Sequence, residues 1–299
     1  MKTLFNIEFH ETHQQQLSAF RALQQTHTSP QKQYALFQEL VWHYYRHHKR
    51  NFAWRTHTTP YNVVVSEMML QQTQAETVAG KFDPFITQFP NFATLATAPF
   101  HDVLLLWKGL GYNRRALALQ KIATIVTDEY KGQLPQDPKT LETLPNIGKA
   151  TAASIVTYAF NTPTTFIETN VRTVFIYFFF DGQTDISDAM LLPHVAATVD
   201  QENPRDWYYA LMDYGVMLKK TVGNLCRLSK HYTKQSKFEG SDRQIRGMVL
   251  QALLDQPGVA LDVLPALLAR EPARVTKVIA ELQTEGFVVT KDQLLWLTK

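Results

Sequence analysis

An all-α fold is what this sequence predicts, and three observations carry the prediction. From Gln31 to Tyr177 apolar residues recur three and four positions apart, the spacing that lays one stripe along a helix. These runs are cut by short stops rich in Pro and Asn: FPNF, LPQDP and FNTPTT. No alternating pattern of the strand kind appears before residue 285.

The bulk properties fit that class. At 299 residues with 45% hydrophobic content the chain is long enough for one large domain or two smaller ones. No apolar run approaches the ~20 residues that span a bilayer, and the N-terminus lacks a signal-like apolar core, so a cytosolic protein is expected. A single cysteine, Cys226, excludes an internal disulfide and a site of several thiolates. With a net charge of only +3, affinity for nucleic acid has to come from local patches.

Taken in order, residues 1–30 are rich in Gln, Thr and His and predict a polar, partly ordered extension. LFQELVWHYYRHH (36–48) reads as a helix. The histidines around HYYRHHKR scatter over several of its faces, which suits a solvated basic helix and no metal. In VSEMMLQQTQ (65–74) a lone Glu67 stands among apolar residues, followed by Gln71, Gln72 and Gln74. DVLLLWKGL (102–110), ALALQKIATIVTDEY (116–130) and KATAASIVTYAF (149–160) continue the helical pattern.

Between the last two lies LPNIGKATAAS (144–154). Asn146, Ile147 and Gly148 make a tight turn, because Asn and Gly tolerate positive φ. Lys149 then opens a helix whose free N–H groups favour a phosphate, with Thr151 adding a hydroxyl. Such a helix-hairpin-helix grips a DNA backbone without reading sequence.

Composition changes again at Gly240. Helices over Arg243–Leu254, Ala260–Ala269 and Pro272–Thr284 precede a hairpin around Lys291-Asp292, which together predict a winged-helix-like module over 241–299. Its basic and acidic residues balance, and only Arg270, Arg274 and Lys277 at the start of the third helix argue for DNA contact. A packing or dimerisation role stays open.

WRTHTTPYNVVVSEMMLQQTQ (54–74), GLGYNRRA (109–116), LPNIGKATA (144–152), FIETNVRTV (166–174) and ALMDYGVM (210–217) occur in that order. Together, over about residues 35–235, they resemble the helix-hairpin-helix DNA glycosylase superfamily, most closely the A/G-specific adenine glycosylases of the MutY family. The resemblance implies two lobes with double-stranded DNA at the cleft between them. It places a six-helix lobe at about 65–165 and a second lobe over 31–64 and 166–240, so that the glycosylase domain spans 31–240. Glu67 matches the family's glutamate that protonates the purine, a role served by a carboxyl in apolar surroundings. Gln71 and Gln72 match residues near the DNA stack, and Tyr112 an aromatic that intercalates beside the lesion pair. Arg55 lies where the family has an arginine near the extruded base. Flipping that base out costs a few kcal/mol, which such wedges help offset.

Several positions depart from the family. Its aspartate in a D-G-N-V context is Glu168 here, followed by Thr169, Asn170 and Val171. Glu168 retains the acidic group that stabilises an oxocarbenium-like cation, with Asn170 as its neighbour, but one methylene further out. Ala150 replaces the lysine with which bifunctional relatives form a Schiff base, so base release by water is expected. Tyr209 stands where many relatives read adenine with Gln or Glu. The four cysteines that hold an iron–sulfur cluster in most relatives align with Lys219, Cys226, Ser229 and Gln235, so no cofactor is expected. The segment from 219 to 237 instead carries Lys219, Lys220, Arg227, Lys230, Lys234 and Lys237 with no acidic residue, a basic stretch suited to phosphates.

The expectation is a monofunctional DNA glycosylase of base excision repair that hydrolyses the N-glycosidic bond of a flipped adenine opposite 8-oxoguanine or guanine. A glycosylase for another base, or a non-catalytic DNA-binding paralogue, are the alternatives.

Overall fold

The computed structural model describes residues 2–26 and 29–298, with side chains from residue 11 onward. Helices follow one another as α1 (Lys2–Gln25), α2 (Pro30–His48), α3 (Ala53–Thr56), α4 (Pro60–Leu70), α5 (Ala75–Gln88), α6 (Phe92–Thr97), α7 (Phe100–Trp107) and α8 (Arg114–Asp128). Then come α9 (Pro138–Leu141), α10 (Lys149–Phe160), α11 (Thr169–Phe179), α12 (Asp188–Thr198) and α13 (Pro204–Thr221), followed by a short 3-10 turn at Leu225–Leu228. The C-terminal region adds α14 (Asp242–Asp255), β1 (Val259–Ala260), α15 (Leu264–Leu268), α16 (Pro272–Thr284), β2 (Val288–Lys291) and β3 (Leu294–Leu297). No helix among the described residues is long and apolar enough to cross a membrane.

The chain divides into two compact units. One is Met1–Arg55, Gln136–Glu142 and Gly148–Thr233; the other is Thr56–Pro135, Thr143–Ile147 and Lys234–Lys299. These bounds differ from the lobes expected. Residues 56–64 join the second unit, α10 joins the first, and the C-terminal module is part of the second.

The first unit is built on aromatic packing. α11 and α2 pack on α13, and Phe37 meets Phe178 and Trp207 edge-on at 5.0 and 5.8 Å. The expected polar extension is corrected for most of its length: α1 packs along α2, burying Phe20 and His13. His13 and the Tyr214 hydroxyl share a hydrogen bond of 3.1 Å. The spaced Phe20, Leu17 and His13 make one inward stripe, which a composition count overlooks. Residues 1, 27 and 28 of that extension lie outside the described residues.

In the second unit α4 begins with a Thr59 cap, whose hydroxyl accepts from the Asn62 N–H at 3.2 Å, and Pro60 at the first helical position. α4 packs on α5 and α8, and α6 and α7 pack on α8, around buried Phe85, Phe100 and Trp107. The three C-terminal helices are closed by an antiparallel sheet of order β1-β3-β2. The hairpin expected around Lys291-Asp292 is present, with Asp292 and Gln293 at φ 50 and 62 forming its two-residue turn. β1 was not legible, since two residues carry no period. Gly258 precedes it at φ 77, where a Cβ would come within 2.6 Å of the Trp296 ring. The module is fastened to the rest of its unit by Phe287 against Phe100 at 5.7 Å. Glu285 adds bonds from Arg114 Nε (2.8 Å) and Arg246 Nη1 (3.0 Å).

Candidate active site

Glu67 sits in the last turns of α4, half-buried, between fully buried Val63, Val64 and Val65 and buried Met68 and Met69. Past the end of α4 the backbone turns left-handed at Gln72 (φ 55). Gln71 and Gln72 part company there. Gln71 is tied to the hairpin turn: its Oε1 accepts from Asn146 Nδ2 at 2.8 Å and its Nε2 donates to the Asn146 carbonyl at 3.4 Å. Gln72 is exposed. Of the two amides expected near a DNA stack, only Gln72 is free to enter it without giving up these bonds.

Asn146 itself is left-handed (φ 60), as its place in the turn predicts. Ile147 is buried and anchors the turn, while Gly148 begins α10 without a side-chain cap. The first N–H groups of α10 consequently have no side-chain acceptor, and exposed Lys149 and half-buried Thr151 stand beside them. Lys149 has no carboxylate partner among the described residues.

One buried cation organises the rest of this surface. The Arg115 guanidinium donates to the carbonyls of Met68 (3.1 Å), Met69 (2.8 Å), Leu110 (2.9 Å) and Gly111 (2.9 Å), to that of Gln71, and to the Thr73 hydroxyl at 2.9 Å. It thereby closes the C-terminus of α4 and pins the GLGY loop to the QQT loop with one planar fork. Burial pushes its pKa down to about 10, so it stays charged at neutral pH. Tyr112 emerges from this frame left-handed (φ 46) and exposed. Its hydroxyl accepts from Arg243 Nη1 at 3.3 Å and from Gln235 Nε2.

The remaining candidates lie on the first unit. Glu168 is the N-cap of α11: Oε1 accepts from the N–H groups of Asn170 (2.6 Å) and Val171 (2.8 Å), and Oε2 from Asn170 Nδ2 at 3.3 Å. The extra methylene thus does not carry the carboxylate away from the helix; the side chain curls back and caps, as an aspartate would. Burial pushes the Glu168 carboxyl above the usual carboxylate range, and the Val171 and Asn170 N–H groups pull the other way. The approach to Glu168 is fixed by Tyr208, whose hydroxyl accepts from the Phe166 N–H (3.2 Å) and donates to the Thr164 carbonyl (2.9 Å). Asn170 rests directly on α13 at Gly215, where a Cβ would meet Asn170 Cβ, O and Cα at 2.6, 2.7 and 2.9 Å.

Arg55 is held, not free. Asp213, 2% exposed, accepts both its Nη1 (2.8 Å) and Nη2 (2.9 Å), and also Arg50 Nε at 2.6 Å. The Arg55 guanidinium lies 4.6 Å over the Tyr209 ring, which also stacks parallel on Tyr158 at 4.8 Å. Tyr209 is 5% exposed, so it supports Arg55 from beneath and presents little surface to a base. Sequence reasoning missed Asp213 and Arg115. Asp213 is a charge among apolar neighbours, the same signal that drew attention to Glu67, whereas Arg115 follows Arg114 at the start of α8 and carries no such signal.

A family model described as HhH-GPD superfamily base excision DNA repair protein matches residues 65–191. The chain is 30% identical over 212 residues to an adenine DNA glycosylase of Buchnera aphidicola subsp. Baizongia pistaciae, spanning 68% of this chain and 60% of the relative. It is 31% identical over 241 residues to the adenine DNA glycosylase of Mycobacterium tuberculosis, spanning 72% of this chain and 76% of that one. This chain belongs to the HhH-GPD superfamily, alongside the adenine DNA glycosylases. Among solved structures of the superfamily, a thermostable thymine-DNA glycosylase superposes with a TM-score of 0.57 at 25% identity, covering 62% of this chain and 87% of that chain.

Measured against the superfamily's iron–sulfur cluster, the donor set here does not fit. Cys226 is buried, its thiol donating to the Thr169 carbonyl and sharing a bond with the Thr173 hydroxyl, both 3.2 Å, and burial pushes its pKa up. The Ser229 hydroxyl accepts from the His231 N–H at 3.1 Å, while Lys219 and Gln235 are exposed. An ammonium, a hydroxyl and an amide are not iron ligands of this kind. The segment is instead fixed by backbone bonds, Ile186 N–H to Leu228 and Lys230 N–H to Ile186, each 3.0 Å. Lys219, Lys220, Arg227 and Lys230 are exposed, with no carboxylate partner among the described residues.

Proposed function

We infer that this chain is a monofunctional DNA N-glycosylase of base excision repair, releasing adenine mispaired with 8-oxoguanine or guanine and working without an iron–sulfur cluster. The observation that carries the reading is Glu168. Although it replaces the family's aspartate, its carboxylate is held rigidly by two backbone N–H groups at the start of α11, so an acidic group is retained in a fixed position. A catalytic carboxylate placed in advance avoids reorganisation when charge develops.

In the reaction, Glu67 donates its proton to the purine as the C1′–N9 bond breaks and its electron pair leaves with the base. The sugar becomes an oxocarbenium-like cation, and the carboxylate assigned to stabilise it is Glu168, at the position of the family's aspartate. Water adds to C1′ and loses a proton, leaving an abasic site. Ala150 offers no amine at the position where bifunctional relatives have lysine, so the strand stays intact until alkali is added. The hairpin turn 144–148, Lys149 and Thr151 hold backbone phosphate, as do Lys219, Lys220, Arg227 and Lys230. Gln72 and Tyr112 enter the duplex. The proposed compartment is the cytoplasm.

A second reading, release of a different base, is favoured by Tyr209, which stands where many relatives have Gln or Glu and is buried under Arg55. Duplexes carrying A:8-oxoG, A:G, T:G and U:G, each treated with alkali after incubation, separate the two. Alkali-dependent cleavage at A is expected, and cleavage only at T or U would establish the second reading. Binding without release from any duplex would remove the enzyme reading. Glu67→Gln is expected to lose release by at least ~100-fold, the usual weight of a general acid; undiminished release would remove Glu67 from the mechanism.

A further inference from the structure

We propose that the C-terminal module contacts the DNA backbone through the edge formed by Lys234, Lys237 and Arg243 beside Tyr112, and not through its third helix. This rests on the reading that the protein engages duplex DNA. α16 would be the helix for a winged-helix module to lay on DNA, and its cations were the ones expected to touch it. Arg270 precedes α16 and donates to the Ala269 carbonyl and the Gln244 side chain, with no carboxylate partner among the described residues; the two cations on the helix itself are already paired. Arg274 Nη2 pairs with Asp242 Oδ1 at 2.5 Å, and Lys277 pairs with Asp242 at 3.2 Å and Glu281 at 3.9 Å. A neutralised cation releases no counterion from DNA.

The opposite situation holds at the N-terminal end of α14. Arg243 has no carboxylate partner among the described residues; its Nη2 donates to the Ser236 carbonyl (2.7 Å) and hydroxyl (3.2 Å), and its Nη1 to Tyr112. Arg243 thus holds the linker against the GLGY loop. Lys234 and Lys237 on that linker are exposed and equally unpaired among the described residues. Of the acids nearby in sequence, Glu239 accepts from the Gln244 amide at 2.9 Å on both oxygens, and Asp242 is paired with Arg274 and Lys277. All of these residues lie on the same compact unit as Tyr112, so the contact does not depend on the other unit. Tyr112 is the exposed aromatic assigned to the duplex, and a cation bonded to its hydroxyl comes with it to the DNA. A polyanion is the occupant this charge fits, and the position beside an intercalating ring specifies a duplex.

The test is the salt dependence of binding to an undamaged duplex, which needs no catalysis. Each phosphate neutralised contributes about 0.9 to the slope of log K against log salt. The triple variant K234Q/K237Q/R243Q is expected to flatten the slope by about 2–3, and R274Q/K277Q to leave it within about 0.5 of wild type. An unchanged slope in the triple variant, or an equal fall in the α16 variant, overturns the proposal. Should loss of Arg243 disturb folding by circular dichroism, K234Q/K237Q alone is expected to flatten the slope by about 2, and no change would be equally decisive. Base release by wild type is scored separately. If wild type binds but releases nothing, the enzyme reading fails and the proposal stands or falls on the slopes.

Discussion

Arg115→Met removes the cation that joins the QQT and GLGY loops, and its cost can be worked from the hydrogen bonds. Six carbonyls, that of Tyr112 included, and one hydroxyl lose the guanidinium as donor, the Leu110 carbonyl keeping the Thr73 hydroxyl. Those of Gln71, Gly111 and Thr73 border exposed Gln72 and Tyr112, so water replaces the guanidinium there at little cost. The Met68 and Met69 carbonyls belong to fully buried residues at the end of α4 and stay without a partner. Two stranded acceptors cost about 1–3 kcal/mol each, partly offset because a guanidinium no longer has to be buried. The expected loss is about 3 kcal/mol for the unit carrying α4, high for a single substitution. Arg115→Lys keeps the charge but replaces a five-donor fork by three donors on one atom, and is expected to lose about half as much. Guanidinium unfolding followed by tryptophan fluorescence reads the stability. Single-turnover base release reads the function, and is expected to fall more than duplex binding does because Tyr112 and Gln72 lose their common frame. A loss below about 1 kcal/mol in Arg115→Met would refute the assignment of those two carbonyls as stranded.

Three further outcomes follow from the geometry. Glu168→Gln keeps an oxygen to cap α11 but removes the charge, so stability is expected to fall by less than about 1 kcal/mol while single-turnover release falls about 100-fold or more. Because burial raises the Glu168 pKa, wild-type release is expected to climb with pH above the ordinary carboxylate value of 4.5 as Glu168 ionises. The same shift makes the Glu168 contribution to stability full below 4.5 and lost as pH rises through the folded value; Glu168→Gln removes that dependence in chemical denaturation. Gly215→Ala drives a Cβ to within 2.6–2.9 Å of Asn170 backbone and side-chain atoms, so a loss of about 2–3 kcal/mol in the first unit is expected by thermal unfolding. Glu285 has its pKa lowered by Arg114 first, against the opposing effect of burial, with Arg246 adding to the lowering; its stabilisation is full above 4.5 and lost as pH falls through the lowered value. Glu285→Gln is expected to remove that acid-side loss and to loosen the module, seen as faster proteolysis of the linker near Gly240.

The sequence by itself determined whatever depends on neighbours along the chain. Period-three-and-four runs set the helices, and the two apolar segments around Lys291-Asp292 set the last hairpin, because such patterns are local properties; in the hairpin turn Asn146 takes the positive φ expected of it (60), whereas Gly148 does not (φ −92). Tertiary structure decided what each polar side chain does with its bonds. Gln71 and Gln72 are adjacent and chemically identical, yet one is bound to Asn146 and the other exposed. Arg274 and Arg243 are both basic residues of one module, yet only the first meets a carboxylate. Tyr209 is buried because Arg55 and Tyr158 cover its two faces, and Arg55 is fixed because Asp213 lies more than 150 positions away in sequence. Partners that far apart leave no trace in spacing or composition. Whether a side chain is spent on the fold or left for DNA is therefore settled only when the chain has closed on itself.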